Sequence, residues 1–200
     1  MKKNVYIVVG MTCSGKTTTM ENLENEHDYK KMITSTTREP REGEIDGVNY
    51  FFLTKESFEE KIKNNMFVEY VKQKGDKYYG LGLNSLDNIK NSIPYVILEP
   101  MGAKNAKDFF DNNENFNPIV IFLNVSQNIA LERLSKRGSE EERNNRTLDL
   151  QNEELNWINY MKYDHIIDSN KSVSEVSKNV HDVIVKEESK NKPQKKFKIS

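Results

Sequence analysis

The feature that most constrains this chain is a glycine-rich loop at residues 10–17, which reads G-M-T-C-S-G-K-T and fits the pattern G-x-x-x-x-G-K-S/T. It follows an apolar run and precedes a helical pattern, so the sequence predicts a strand, a phosphate-binding loop and a helix N-terminus. Lys16 would reach the β- and γ-phosphates and the Thr17 hydroxyl would face Mg²⁺, whereas a simple glycine turn would not need Lys16. The residues assigned to ATP in this loop are Gly10, Cys13, Ser14, Gly15, Lys16, Thr17 and Thr18.

Length, charge and cysteine content limit the class of protein. Two hundred residues are enough for one domain with a core and a cleft. A net charge of −1 and a pI near 6.4 give no general attraction to nucleic acid or an anionic membrane, so small-molecule nucleotides are the expected partners. The single cysteine excludes an internal disulfide, and the first residues lead into a short strand rather than an apolar signal. We therefore expect a cytoplasmic monomer or homodimer.

Short apolar runs alternate with longer helical patterns along most of the chain. This alternation predicts an α/β fold of the P-loop NTPase class, with a parallel sheet flanked by helices. The predicted strands are residues 5–9, 31–34, 95–98, 119–123 and 165–167, and the predicted helices are residues 16–25, 102–112, 129–136, 153–161 and 173–185. Ser172 and Glu175 have the spacing of a capping box at the start of the last helix. The domain is predicted to span residues 1–186, followed by a basic, disordered tail at residues 187–200.

Residues 35–85 interrupt this alternation with aromatic, β-rich segments, which predict a small insertion beside the main sheet. At its entry, Arg38 and Arg41 lie three positions apart around a proline. Two guanidinium groups that converge from a stiff turn suit a phosphate dianion. Glutamates at positions 39, 42 and 44 could instead pair with these arginines on a solvated loop, so the residues alone leave both interpretations open.

Residues 36–50 read T-T-R-E-P-R-E-G-E-I-D-G-V-N-Y, and this run resembles the T-T-R-x-P-R-x-G-E-x-D-G-x-x-Y signature of the guanylate kinases. Shorter similarities continue at residues 67–69, 78–80, 102–103, 133–138 and 163–164, so the resemblance covers nearly all of the chain before the tail. It implies that the insertion binds a nucleoside monophosphate and that residues 137–155 form a helical lid. It also implies that ATP with Mg²⁺ phosphorylates GMP or dGMP.

The resemblance assigns roles to individual residues. The monophosphate would be held by Arg38, Arg41, Tyr50 and Tyr79, and Glu69 would contact guanine. Thr34 lies where the family has a base-contacting serine, and Glu99 is assigned to the nucleoside monophosphate site. Asp168 and Ser169 lie where the family contacts adenine. Phosphoryl transfer would depend on Lys16, Arg133, Arg137 and Arg146, with Arg143 as the alternative to Arg146.

Glu69 suits a guanine site on chemical grounds alone. Guanine presents two adjacent donors, N1–H and the 2-amino group, which one ionised carboxylate can accept together. Adenine presents its N1 acceptor at that position and would be repelled. The alternative, a solvated strand residue, is disfavoured by the apolar neighbours of Glu69.

Three positions depart from the family pattern. Leu81 replaces a serine or threonine that donates to the base, and Cys13 replaces a glycine of the loop. Of an Asp-x-Asp motif, one acid is missing and the other is lengthened to Glu99. The alternatives are therefore a kinase for another or a modified deoxynucleotide, a noncatalytic module on the same fold, and an unrelated P-loop transferase. A noncatalytic module typically lacks Lys16, and an unrelated transferase leaves the arginine signature unexplained.

Overall fold

The computed structural model describes residues 1–87, 89, 91–136, 140–152 and 154–191. In chain order the elements are β1 (Lys3–Gly10), α1 (Lys16–Glu26), β2 (Tyr29–Lys31), β3 (Ser35–Thr36), β4 (Phe51–Phe52), α2 (Lys55–Lys63), β5 (Phe67–Lys72), β6 (Tyr78–Gly82), β7 (Ile93–Ile97), α3 (Pro100–Asp111), β8 (Phe116–Asn124), α4 (Gln127–Ser135), α5 (Glu140–Asn152), β9 (His165–Asp168) and α6 (Val173–Lys190). Short 3₁₀ turns occupy Lys74–Asp76, Leu83–Leu86 and Glu154–Asn159. Among these residues, no helix combines the length and apolar character needed to cross a membrane.

Five parallel strands form the main sheet in the order β2-β7-β1-β8-β9. Residues 5–9 of the central strand β1 are fully buried because helices cover both faces of the sheet. Side chains alternate along the strand, so Val5, Ile7 and Val9 pack with α3 while Tyr6 and Val8 pack with α1 and α6. This arrangement confirms the predicted α/β fold with a parallel sheet flanked by helices.

A second sheet, with strand order β4-β3-β6-β5, is built from residues 35–82. β3 pairs with β4 in parallel, whereas β6 pairs antiparallel with both β3 and β5. The fully buried Phe58 of α2 stacks on Phe67 and Tyr78, at ring-centroid distances of 4.4 and 5.2 Å. The aromatic segments that predict a β-rich insertion therefore form a separate small sheet with its own helix.

Two predicted elements lie elsewhere. The strand expected at residues 31–34 lies earlier, as β2 at Tyr29–Lys31. Its pairing with β7 ends at Lys31, which lies opposite Tyr95. The chain then leaves the main sheet and enters the second one as β3. The helix expected at residues 153–161 is the 3₁₀ turn Glu154–Asn159, and the α-helix of this region, α5, comes before it. Both kinds of helix place residues three positions apart on one side, so apolar spacing alone does not separate them.

The last helix starts as predicted and ends later. Reciprocal hydrogen bonds between Ser172 and Glu175 confirm the capping box. The helix continues to Lys190, and the Tyr6 hydroxyl of β1 donates to Glu188 (2.8 Å) in its last turns. The first residues of the predicted tail are therefore helical, and residues 192–200 lie outside the described residues.

Candidate active site

The residues predicted to bind the donor nucleotide gather at the carboxyl edge of the main sheet. β1 ends at Gly10 before the glycine-rich loop, β7 ends shortly before Glu99, and β9 ends at Asp168. Parallel strands bring these ends to one edge, beside helix N-termini that attract anions. One edge of the sheet therefore combines an anion-binding loop with ionisable side chains.

The backbone of the loop explains its glycines. Gly15 precedes α1 with φ +86°, a left-handed conformation that glycine adopts without strain. At Gly10 an added Cβ would lie 2.6 Å from Ser14 Oγ and 2.7 Å from the carbonyl oxygen of Leu123. No side chain fits there, so the loop closes tightly at the N-terminus of α1.

Lys16 lies folded back across this loop. Its Nζ donates to the carbonyl oxygens of Gly10 (2.5 Å) and Met11 (2.8 Å). Thr17 is exposed in the first turn of α1, and Thr18 next to it is half-buried. A cation and an exposed hydroxyl group therefore lie together where the loop meets the helix.

Cys13 has a left-handed backbone, φ 60°, in the middle of the loop. This conformation favours glycine, so a cysteine here carries some backbone strain. Its buried side chain packs in an apolar cluster with Ala130 and Leu134 of α4 and Leu150 of α5. The residue therefore anchors the loop to α4 and to the helix of the predicted lid.

The arginines predicted to act in phosphoryl transfer lie in or near α4 and α5. Arg133 donates to the carbonyl oxygens of Cys13 (3.1 Å) and Lys171 (3.1 Å), so its guanidinium group supports the loop. Arg143 and Arg146 are half-buried on α5. Arg137 lies outside the described residues, and the catalytic roles of all four arginines remain predictions.

The pair predicted to contact adenine also touches the loop. The hydroxyl of the buried Ser169 donates to the carbonyl oxygen of Ser14. Asp168 accepts hydrogen bonds from the backbone and side chain of Asn170, and these bonds lower the pKa of Asp168. Ser169 therefore supports the phosphate loop, a contact that no local pattern in the sequence indicates, while adenine binding stays a prediction.

Arg38 and Arg41 both contact Glu44 of the insertion. Arg38 Nη2 lies 2.9 Å from Glu44 Oε1, and the backbone N–H of Arg41 donates to Glu44 Oε2 (2.7 Å). Burial raises the pKa of Glu44, but the hydrogen bonds and charges of Arg38 and Arg41 together outweigh this and leave the pKa below its ordinary value. The guanidinium carbon of Arg38 is 5.4 Å from the centre of the Tyr50 ring, which meets Tyr79 edge-on at 6.2 Å. Glu44 thus holds the Arg38 guanidinium group beside the phenol of Tyr50, and phosphate binding by Arg38 stays a prediction.

Glu69 lies on β5 with only 5% of its surface exposed. Its Oε1 accepts the Leu81 N–H (3.1 Å), whereas Oε2 has no hydrogen-bond partner among the described residues. Burial raises the pKa of Glu69 to about 8; the Leu81 hydrogen bond lowers it and the charge of Glu99 raises it. A buried carboxyl group with an acceptor that lacks a hydrogen-bond partner among the described residues marks a candidate binding site.

Leu81 and Gly102 shape the space around Glu69. The Leu81 side chain is fully buried in an apolar cluster, so it acts on Glu69 through its backbone N–H. An added Cβ at Gly102 would lie 2.9 Å from Glu69 Oε2, so α3 packs closely against that oxygen only because residue 102 is glycine. Thr34, the other predicted base contact, is buried just before β3.

Gln73 contacts Glu99 of the predicted nucleoside monophosphate site, although the sequence analysis does not identify it. Its side-chain amide donates to Glu99 Oε2 and so connects the end of β5 with the residue before α3. The available signal is the period of two along a strand, since Gln73 follows Glu69 by four positions and continues the same face. Gln73 therefore fixes Glu99, whose charge acts on Glu69.

These features define a class of protein before any comparison. A phosphate loop at the carboxyl edge of a parallel sheet provides the donor site. A second sheet brings an ordered arginine, two phenols and a buried carboxyl group beside it. The combination is that of a P-loop nucleotide phosphotransferase.

Known proteins with similar sequences agree with this class. Residues 2–187 match the model of the guanylate kinase family. The chain is 34% identical over 190 residues to a guanylate kinase of Clostridium tetani, an alignment covering 93% of this chain and 84% of that protein. It is 33% identical over 195 residues to a guanylate kinase of Clostridioides difficile, covering 95% and 91%. The chain belongs to the guanylate kinase family.

The fold agrees as well. A crystal structure of guanylate kinase from Anaplasma phagocytophilum superimposes with a TM-score of 0.67 and covers 95% of this chain and 88% of that chain. The two sequences are 20% identical, so the likeness shows a shared fold.

Proposed function

We propose that this protein transfers the γ-phosphoryl group of ATP to GMP or dGMP, in the cytoplasm, and releases the nucleoside diphosphate. The observation that carries the proposal is the buried Glu69 carboxyl group, whose Oε2 has no partner among the described residues. The guanylate kinases among its relatives support the same activity.

Glu69 accounts for the choice of base. When ionised, it offers Oε2 and the free lone pairs of Oε1 to the N1–H and 2-amino donors of guanine. Adenine would place its N1 acceptor against the carboxylate and leave the buried oxygen unpaired, at a cost of about 1–3 kcal/mol. A penalty of that size gives roughly five- to 150-fold discrimination. Glu99, positioned by Gln73, is proposed as a further acceptor at the base edge.

The affinity for GMP is expected to increase with pH. In the free protein Glu69 has a pKa near 8, and the two guanine donors would lower it, so GMP binding should release a proton. Between about pH 7 and pH 8.5 the dissociation constant should fall several-fold and then level off, since the GMP phosphate, with its second pKa near 6, is already a dianion. Calorimetric titration in buffers of different ionisation enthalpy measures both the affinity and the proton release. A pH-independent GMP affinity with no proton release would contradict this.

The acceptor phosphate is assigned to Arg38, Arg41, Tyr50 and Tyr79. Arg38→Ala should raise KM for GMP about tenfold or more, because a charge-assisted hydrogen bond contributes about 1.5–3 kcal/mol. Arg41→Ala should act in the same direction, and KM for ATP should change little in both variants. Steady-state kinetics with each nucleotide varied in turn measures this division. A fall in ATP affinity without a change for GMP would show that the two sites have been assigned the wrong way round.

The donor phosphates are assigned to the loop, Lys16 and Thr17. Thr17 fits a Mg²⁺ site because its side chain is exposed in the first turn of α1, and Mg²⁺ commonly takes one protein oxygen together with water and phosphate oxygens. The ion would neutralise charge on the transferring phosphoryl group. Lys16, whose ammonium already lies over the loop, would turn from the carbonyls of Gly10 and Met11 toward the phosphates.

The transfer step needs no side-chain nucleophile or general base. An ionised oxygen of the acceptor phosphate forms a bond to the γ-phosphorus while the bond to the bridging oxygen breaks and ADP leaves. The protein has to hold the two phosphates in line and offset their charge. Arg133, Arg137 and Arg146, or Arg143 in place of Arg146, are proposed to do this as the lid closes and excludes water.

Phosphorylation assays across a panel of nucleoside and deoxynucleoside monophosphates, with ATP and Mg²⁺, test the proposal. We expect GMP and dGMP to give the highest kcat/KM. A preference for a pyrimidine or a 6-amino purine would overturn the guanine assignment in favour of the kinase for another nucleotide that Leu81 suggests. No transfer to any acceptor would favour the noncatalytic module.

A further inference from the structure

Lys31 connects the main sheet with the insertion. It is the last residue of β2, an edge strand of the main sheet. Its Nζ donates to the carbonyl oxygens of Val48 (3.3 Å) and Asn49 (3.2 Å) in the turn at residues 45–50. One side chain of the main sheet thus donates to two backbone carbonyls of the turn that ends at Tyr50.

The turn at residues 45–50 is closed by its own hydrogen bonds. The Asn49 side chain accepts the Ile45 N–H (2.8 Å), and the Tyr50 carbonyl accepts the Gly47 N–H (2.8 Å). These bonds fix the shape of the turn and leave the carbonyls of Val48 and Asn49 to Lys31. The Lys31 ammonium therefore adds a direct contact between the turn and the main sheet.

Lys31 is itself held in place from the other side. Its backbone N–H donates to Glu24 Oε1 (3.3 Å), and Glu24 Oε2 accepts the Tyr95 hydroxyl (3.1 Å). Burial lowers the pKa of Lys31, although the carboxylates of Glu21, Glu24 and Glu44 oppose this. The ammonium is thus partly withdrawn from water, where its bonds to carbonyls matter more. The adjacent Lys30 is exposed and points to the opposite face of the strand.

Tyr50 transmits the position of the turn to the acceptor-phosphate site. It directly follows Asn49, and its ring lies 5.4 Å from the Arg38 guanidinium carbon. Glu44, which precedes the turn, forms the ion pair with Arg38. Two of the residues around the Arg38 guanidinium group therefore lie directly before the turn and at its last position.

We propose that Lys31 is a positioning residue of the acceptor-phosphate site, which it acts on through the turn at residues 45–50 and not by touching the nucleotide. The inference rests on the proposed phosphorylation of GMP. It adds to that function a residue of the main sheet that positions the insertion, and Lys31 lies outside the sequence motifs.

The test compares Lys31→Met, which keeps the length of the side chain and removes its charge, with Lys30→Met as the matched control. Lys31→Met should raise KM for GMP about five- to tenfold, the scale of one or two hydrogen bonds from a charged donor, with kcat and KM for ATP within about twofold. Lys31→Arg should restore at least half of the lost affinity. Lys30→Met should behave as the wild type.

Amide hydrogen exchange supplies a readout that does not depend on activity. Exchange at residues 45–50 should increase several-fold in Lys31→Met and stay unchanged in Lys30→Met. Unchanged exchange, an unchanged KM for GMP, an equal effect of Lys30→Met, or a parallel loss of kcat and ATP affinity would each overturn the inference. If Lys31→Met shows the expected increase in exchange but the wild-type protein does not phosphorylate GMP, the proposed function is overturned and the contact is not.

Discussion

Replacing Lys16 with alanine is expected to lower kcat by about 10²-fold or more, the usual effect of removing one preorganised charge contact to a transition state. The physical reason is that the ammonium would offset charge that increases on the donor phosphates during transfer. Stopped or coupled assays of ADP formation at saturating GMP and ATP measure the change.

The control for this variant is Lys30→Ala, which removes an equally charged side chain from an exposed position. Circular dichroism and thermal unfolding check that Lys16→Ala still folds, because Lys16 also donates to two loop carbonyls. A folded Lys16→Ala protein with near-normal turnover would contradict the donor-site assignment and, with it, the enzymatic mechanism.

Replacing Glu69 with glutamine is expected to lower kcat/KM for GMP by about 10²-fold or more. The amide removes a charged acceptor and presents an N–H₂ group to the two guanine donors, and each lost charged hydrogen bond corresponds to about 1.5–3 kcal/mol. Competition assays with GMP and AMP should show that the preference for guanine weakens or reverses, while KM for ATP stays the same. Unaltered use of GMP by this variant would exclude Glu69 from the base site.

The same variant has a second expected effect, on stability. Native Glu69 has a pKa near 8 against 4.5 for the ordinary group, so the native state binds more protons than the unfolded state between these values. The contribution of Glu69 to stability is therefore fully present below about pH 4.5 and is lost as the pH rises toward 8. Glutamine does not titrate, so the melting temperature of Glu69→Gln relative to the wild type should increase over this range. A constant difference between pH 5 and pH 8.5, measured by calorimetry, would contradict the raised pKa.

Local patterns explain why much of the site is predictable from sequence. The phosphate loop needs glycine where the backbone is left-handed or crowded, and those requirements are visible in the spacing of Gly10 and Gly15. The run of residues 36–50 contains both arginines and Tyr50 within one short segment. The central strand is recognisable because a parallel strand buried on both faces is apolar throughout.

Other features depend on contacts between distant segments. The boundary between β2 and β3 depends on which of the two sheets each residue joins. The local sequence of residues 29–36 does not specify where the chain passes from one sheet to the other. Gln73 reaches Glu99 because the end of β5 in the second sheet lies beside the start of α3. Ser169 reaches Ser14 because β9 and β1 end at the same edge of the main sheet. The contact between Lys31 and the turn at residues 45–50 has the same origin.

By itself, the sequence determined the kind of chemistry, because the phosphate loop and the signature at residues 36–50 are short motifs whose requirements are met within a few residues. The tertiary structure alone decided the state of those groups. Glu69 has a raised pKa because β5, β6 and α3 bury it and leave Oε2 without a partner among the described residues. Arg38 is oriented because Glu44 and Tyr50 close around it. Burial and orientation come from packing between segments distant in the chain, and no local pattern specifies them.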